Sequence, residues 1–181
     1  MGWQDKIAGQ GAKADAARIQ YGALCWRVAG AGIEVLLITS RDTGRWVIPK
    51  GWPMPGLAPE AAAAQEAWEE AGVEGTMSPL CVGRFGYRKV LSTTASVPCA
   101  VSVYAMRVDR LAKSFPEAKA RRREWFAPDV AAGLVAEPEL ATIIAQFLPP
   151  SQGRADPIRA DDDDDEVAPK APGKSARRKG H

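Results

Sequence analysis

Between Gly51 and Val73 the chain reads GWPMPGLAPEAAAAQEAWEEAGV, a loop punctuated by Gly and Pro that runs into a short alanine-rich helix. Pro59 suits the first helical position and Gly72 the left-handed cap, so this helix is bounded at both ends. It carries Glu66, Glu69 and Glu70, and residues at i, i+3 and i+4 share one face. The same helical wheel sets Ala61, Ala64, Trp68 and Ala71 opposite them, as the stripe expected to be buried while the carboxylates point outward. Like charges one turn apart cost about 0.2–0.5 kcal/mol per pair, and the negative end of the helix dipole adds to this. A bound cation removes both costs. Mg²⁺ is commonly held by a few carboxylates, waters and substrate phosphates, and three carboxylates on one turn suit it; the plainer alternative is a solvated acidic face.

The rest of the chain supplies a sheet and further helices. Tyr21–Ala29 and Ile33–Thr39 read as strands joined by a Gly-containing turn, and Arg45–Ile48 as a short strand feeding the loop. After the helix, residues 76–86 and 98–108 read as longer strands, followed by a connecting stretch over 111–120. A short strand at Arg123–Phe126, a helical turn at Asp129–Leu134 and an amphipathic helix over Pro138–Phe147 complete the pattern, the last with Leu140, Ile143, Ile144 and Phe147 on one face. Strands interleaved with helices imply an α/β sandwich. Residues 1–18 form a loose lead, 19–148 the domain, and 149–181 a tail in which the acidic run Asp161–Glu166 precedes a basic end.

Composition removes several chemistries. The only histidine is His181, which excludes Ser-His and Cys-His catalysis and histidine zinc sites. Cys25, Cys81 and Cys99 lack metal-type spacing and sit in apolar contexts, so all three are expected as reduced core residues. No apolar run reaches the roughly 18 residues of a membrane span, and the first residues carry no signal-type apolar stretch, so a cytoplasmic protein is expected. Basic and acidic residues cancel in the tail, leaving the domain with the formal net charge of +2. That field is too weak to suggest general nucleic-acid binding.

The stretch from Gly51 to Val73 resembles the Nudix box, with Gly51, Glu66, Glu69, Glu70, Gly72 and Val73 in register and Ala67 at the aliphatic position. Leu57 stands where that pattern has its first Glu, and Gln65 where it has an Arg that pairs with and orients a helix carboxylate. The segment Ser40–Gly51, SRDTGRWVIPKG, and the run Arg121, Arg122, Arg123, Glu124, Trp125, Phe126 are similar to the diphosphoinositol polyphosphate phosphohydrolase branch of the family, as in a bacterial-type member.

The resemblance implies an α-β-α sandwich around a mixed sheet. It further implies Mg²⁺ or Mn²⁺ as cofactor, held by Glu66, Glu69, Glu70 and the Gly51 carbonyl, and hydrolysis of a phosphoanhydride in a small-molecule polyphosphate. A diphosphoinositol polyphosphate or a dinucleoside polyphosphate is the expected substrate. Glu69 or Glu70 is the expected base, with Glu117 as the alternative. Arg41, Arg45, Lys50, Arg84 and Lys89 flank the box and are expected to bind phosphate, Arg forks matching phosphate oxygens in pairs. Arg88 and the run Arg121–Arg123 belong to the same uneven basic distribution. Two alternatives stand beside this reading. One is hydrolysis of another nucleoside diphosphate derivative, with Trp46, Trp52, Phe85 and Tyr87 as candidates for base stacking. The other is a non-catalytic ligand-binding module, for which Leu57 and Gln65 speak.

Overall fold

The central segments are apolar on both sides, as strands covered on two faces must be. In the computed structural model, which describes residues 16–149, β1 (Arg18–Ala29) turns through a hairpin into β2 (Gly32–Thr39), pairing Trp26 with Val35. Along its other edge β1 runs parallel to β6 (Ser96–Leu111), from Arg18↔Cys99 to Trp26↔Arg107. The long outer strand β5 (Val73–Val90) is antiparallel to β6. With β7 (Arg123–Phe126) on the far edge of β2, the result is a mixed sheet of seven strands. Arg18 already belongs to β1, and most of the N-terminal lead, the Asp161–Glu166 run and His181 lie outside the described residues.

Beyond the hairpin β1 and β2 part, and two short strands fill the wedge. β3 (Trp46–Val47) pairs with the end of β2, and β4 (Lys50–Gly51) pairs with β1 at Tyr21 and Gly22. Pairing with β1 makes Lys50 and Gly51 a fixed rim instead of the start of a loop.

Helix α1 (Pro59–Ala71) covers one face of the sheet, while α2 (Pro128–Leu134) and α3 (Pro138–Ala145) cover the other. The face of α1 that is buried differs from the expected one. Ala62, Ala63, Ala67, Glu70 and Ala71 are buried, whereas Ala61, Ala64 and Trp68 are only partly covered. Alanines let the helix lie close on β1, and the arc that touches the sheet includes Glu70, so the carboxylates point along the sheet toward its rim instead of outward. On the opposite face Leu140, Ile144 and Phe147 are buried, with Ile143 packed against the same cluster. Cys25 and Cys99 are buried as expected, but Cys81 is exposed. It sits where β5 shifts register twice against β6, between Met77 and Gly83, and such bulges turn a side chain off the core face. No helix among the described residues is long and apolar enough to cross a membrane.

The end of α1 is locked from outside. Gly72 has φ 62°, a conformation that costs other residues strain, and its N–H donates to the Trp68 carbonyl at 2.8 Å. Arg123 then donates to the Ala71 carbonyl and, at 2.7 Å, to the Ala112 carbonyl, with its guanidinium 4.8 Å from the Phe115 ring centroid. β5 therefore starts directly at Val73, earlier than the sequence pattern suggested. Replacing the guanidinium leaves two carbonyls without their charged donor, so Arg123→Gln should destabilise the fold by about 1.5–3 kcal/mol in urea denaturation.

Candidate active site

At the rim, Gly51 and the carboxylate of Glu66 are so close that a Cβ on residue 51 would overlap it. A side chain at residue 51 would displace the Glu66 carboxylate from where it stands. Glu66 is half-buried and accepts no hydrogen bond among the described residues. Burial, followed by the charges of Glu70, Glu69 and Glu117, pushes its carboxyl from 4.5 up to about 7.

Its neighbours on α1 are held. Glu69 accepts a hydrogen bond from the Gln65 side-chain amide at 2.7 Å, a pairing of residues one turn apart. Glu70, only 8% exposed, accepts the Lys50 backbone N–H at 3.0 Å on one oxygen and the Arg121 guanidinium on the other. Burial raises the Glu70 carboxyl, and Arg121 and the Lys50 N–H pull it back. Arg121 also donates to Glu117 at 2.5 Å and to the Thr39 carbonyl at 3.1 Å. Glu117 sits close by on the backbone as well, its N–H donating to the Glu69 carbonyl at 3.0 Å. Glu66, Glu69, Glu70 and Glu117 thus share one electrostatic neighbourhood.

The basic residues divide between the two sides of β4. Lys50 turns its side chain away from α1, with Nζ 5.0 Å from the Tyr87 ring centroid, and Lys89 places its Nζ 4.8 Å from that of Trp52. Burial lowers the Lys50 ammonium, and the Glu70 carboxylate partly restores it. Tyr87 donates to the Gln20 side chain at 2.6 Å. Arg45 is already paired, at 2.8 Å, with the buried Glu137, and Arg41 with Glu117 at 3.4 Å. Arg84 stands exposed on the outer strand β5, and Arg88 donates to Ser96 at 3.1 Å across the hairpin. Of the stacking candidates, Trp46 packs edge-on against Phe126, and Phe85 is buried in the core; Trp52 and Tyr87 remain at the rim. Of the arginine run, Arg123 serves the fold, Arg122 lies 5.5 Å from the Trp46 ring centroid, and Arg121 alone reaches the glutamates.

Among the described residues, no three acidic, histidine or cysteine side chains converge as they stand on one point that could hold a metal ion. Glu69 is turned to Gln65, and Glu70 to Arg121. The donor set nevertheless fits a hard cation: an unpartnered, half-buried carboxylate faces three like charges, and oxygen ligands of that kind are what Mg²⁺ and Mn²⁺ take.

Helices on both faces of a mixed sheet, with carboxylates of one helix gathered at a glycine-bearing rim, define a small α/β domain. Residues 18–149 match the NUDIX domain, and the chain belongs to that family. It is 32% identical over 120 residues to Nudix hydrolase 12, mitochondrial, of Arabidopsis thaliana, covering 64% of this chain and 59% of that protein. It is 30% identical over 105 residues to human diphosphoinositol polyphosphate phosphohydrolase 3-alpha, covering 57% and 60%. The chain thus spans about three fifths of the length of these relatives. The fold is similar to that of the C. elegans Ap4A hydrolase crystal structure, with a TM-score of 0.56, 20% identity, and coverage of 72% and 95%.

The raised Glu66 carboxyl makes the fold less stable as pH rises. An unfolded carboxyl releases its proton near 4.5 and the folded one near 7, so between these the folded state holds a proton that the unfolded state lacks. The contribution is full below the lower value and is lost as pH rises through the window. In chelator, stability is expected to decline between about pH 5 and 7, and Glu66→Gln should flatten that decline in thermal melts recorded across the window.

Proposed function

We propose that this chain is a divalent-cation-dependent hydrolase of phosphoanhydride bonds in small-molecule polyphosphates. The observation that carries the reading is the Glu66 carboxylate, packed on Gly51, without a hydrogen-bond donor among the described residues and facing Glu69, Glu70 and Glu117. A catalytic site with such a surplus of negative charge needs a cation before it can accept a phosphate.

Glu66, Glu69, Glu70 and the Gly51 carbonyl would hold Mg²⁺ or Mn²⁺, which supplies a water of lowered pKa and neutralises charge on the phosphates. Glu70 has both oxygens engaged, by Lys50 and Arg121, which suits a fixed ligand better than a group that must take up a proton. The base is then Glu69 or Glu117. Gln65 orients the first, and Arg121 the second. Lys50 and Lys89 lie across β4, where ammonium groups can meet the phosphates beyond the scissile bond.

The relatives named as diphosphoinositol polyphosphate phosphohydrolases support a densely phosphorylated substrate. A dinucleoside polyphosphate is favoured by a separate observation: each of the two rim lysines stands against an aromatic ring, Tyr87 or Trp52, as a phosphate beside a stackable base would require. Arg45 and Arg41 contribute less than their positions suggested, because carboxylates already occupy them.

The test is phosphate or nucleotide release from a panel containing a diphosphoinositol polyphosphate, Ap4A and a nucleotide sugar, with Mg²⁺, with Mn²⁺ and in chelator. Turnover of at least one polyphosphate is expected, dependent on the metal, with Glu66→Gln and Glu69→Gln each lowering it by about a hundredfold. Metal-independent turnover, or full turnover by well-folded glutamate variants, would remove the assignment.

A further inference from the structure

One side chain ties the carboxylates of this site to the rest of the fold, and it does not come from α1. Arg121 lies just before β7, and its side chain is only 7% exposed. Each of its nitrogens serves a different element. Nη2 donates to Glu70 on α1, Nε to Glu117 in the preceding loop, and Nη1 to the Thr39 carbonyl at the end of β2. Its neighbour Arg122 reinforces the anchor, since the Arg122 N–H donates to the Thr39 hydroxyl at 2.9 Å and the Thr39 N–H to the Arg122 carbonyl at 2.9 Å. The guanidinium therefore stands on a backbone clamp, and it fixes two carboxylates that would otherwise repel one another.

Inside α1 the nearest candidate for such a task is residue 65, one turn before Glu69. It is Gln65, whose amide orients Glu69 but brings no charge. Glu70 is buried and, among the described residues, has no other cation within hydrogen-bonding reach, because Lys50 offers it only the backbone N–H and turns its ammonium toward Tyr87. A planar fork can hold several oxygens at fixed angles, which a lysine cannot.

We propose that Arg121 is the positioning residue of this site: from outside the helix it sets the direction of Glu70 and brings Glu117 into register with it, the task for which an arginine at position 65 would serve from within. The inference rests on the proposed hydrolase reading, and it predicts a division of labour in which Gln65 aims Glu69 while Arg121 aims Glu70 and Glu117.

The experiment uses the full chain in five forms: the unsubstituted protein, Arg121→Lys, Arg121→Gln, Gln65→Arg, and Arg121→Gln combined with Gln65→Arg. Each is assayed for kcat and KM on the best polyphosphate of the panel, for Mn²⁺ affinity by electron paramagnetic resonance without substrate, and for Tm. Arg121→Lys keeps the charge and tests the fork even where Arg121→Gln does not fold. Both single substitutions at 121 are expected to lower kcat by about 30-fold or more while KM moves by less than about threefold, as misaligned groups do. Mn²⁺ binding should weaken by about tenfold, in the range seen when the partner that orients a ligand is lost. Gln65→Arg should restore kcat in the Arg121→Gln background by about tenfold.

Unchanged kcat and Mn²⁺ affinity in a folded Arg121→Lys protein would overturn the proposal, as would a double variant that regains Tm without regaining kcat. If the unsubstituted chain neither binds Mn²⁺ nor cleaves any polyphosphate, the hydrolase reading itself fails and takes this inference with it.

Discussion

A single buried carboxylate, Glu70, holds the rim of this protein together. Its two oxygens take the Lys50 N–H from β4 and the guanidinium of Arg121 from the segment before β7, so three parts of the chain meet on one side chain of α1. A buried anion is costly unless it is paired and hydrogen-bonded, and here the pairing specifies geometry. β4 must sit where its N–H can reach the helix, and that requires β1 and β2 to part and leave the wedge it fills. Gly51 follows Lys50 in the same strand, so the bond that fixes Glu70 also presses the backbone of residue 51 against Glu66. The proximity of the glutamates to the rim is thus a consequence of strand pairing and one charged bond.

This explains what could be read from the residues and what could not. The boundaries of α1 were legible, because Pro59 and Gly72 act locally, and the clustering of Glu66, Glu69 and Glu70 was legible because helical spacing alone decides it. The face that is buried was not. A helix of alanines has little apolar contrast around its circumference, so a wheel that assigned Trp68 to the core was outweighed by the ease with which small side chains lie against β1. The glutamates then fell partly on the buried arc, where Arg121 makes burial tolerable.

The arginine run shows the same limit more sharply. Arg121, Arg122 and Arg123 are chemically identical neighbours, yet one pairs with carboxylates, one lies against the partly buried ring of Trp46, and one ties down the end of a helix. What separates them is the onset of β7 at Arg123 and the clamp at Thr39, which together send successive side chains in different directions. Glu70 and the Ala71 carbonyl, which Arg121 and Arg123 reach, lie about fifty residues earlier in the chain, so no local pattern could assign those two contacts. The basic candidates suffered from a related ambiguity. Arg41 and Arg45 are paired with Glu117 and Glu137, acidic partners that come from distant parts of the chain.

β4 also divides the site into two sides. Successive residues of a strand point to opposite faces, so Gly51 opens toward the carboxylates of α1 while Lys50 extends to Tyr87 on the side of α2 and α3. The α1 glutamates, with Arg121 among them, are thereby separated from the lysine-aromatic pairs by the thickness of one two-residue strand. On the proposed reading, a substrate with its scissile phosphate at the glutamates has to cross this rim to reach Lys50 and Lys89, and the absence of a side chain at Gly51 keeps the crossing low. The separation also protects the arrangement, because lysines on the carboxylate side would pair with Glu66 and occupy the place that the reading assigns to a cation. Burial lowers the Lys50 ammonium, and the Glu70 carboxylate across the strand partly restores it.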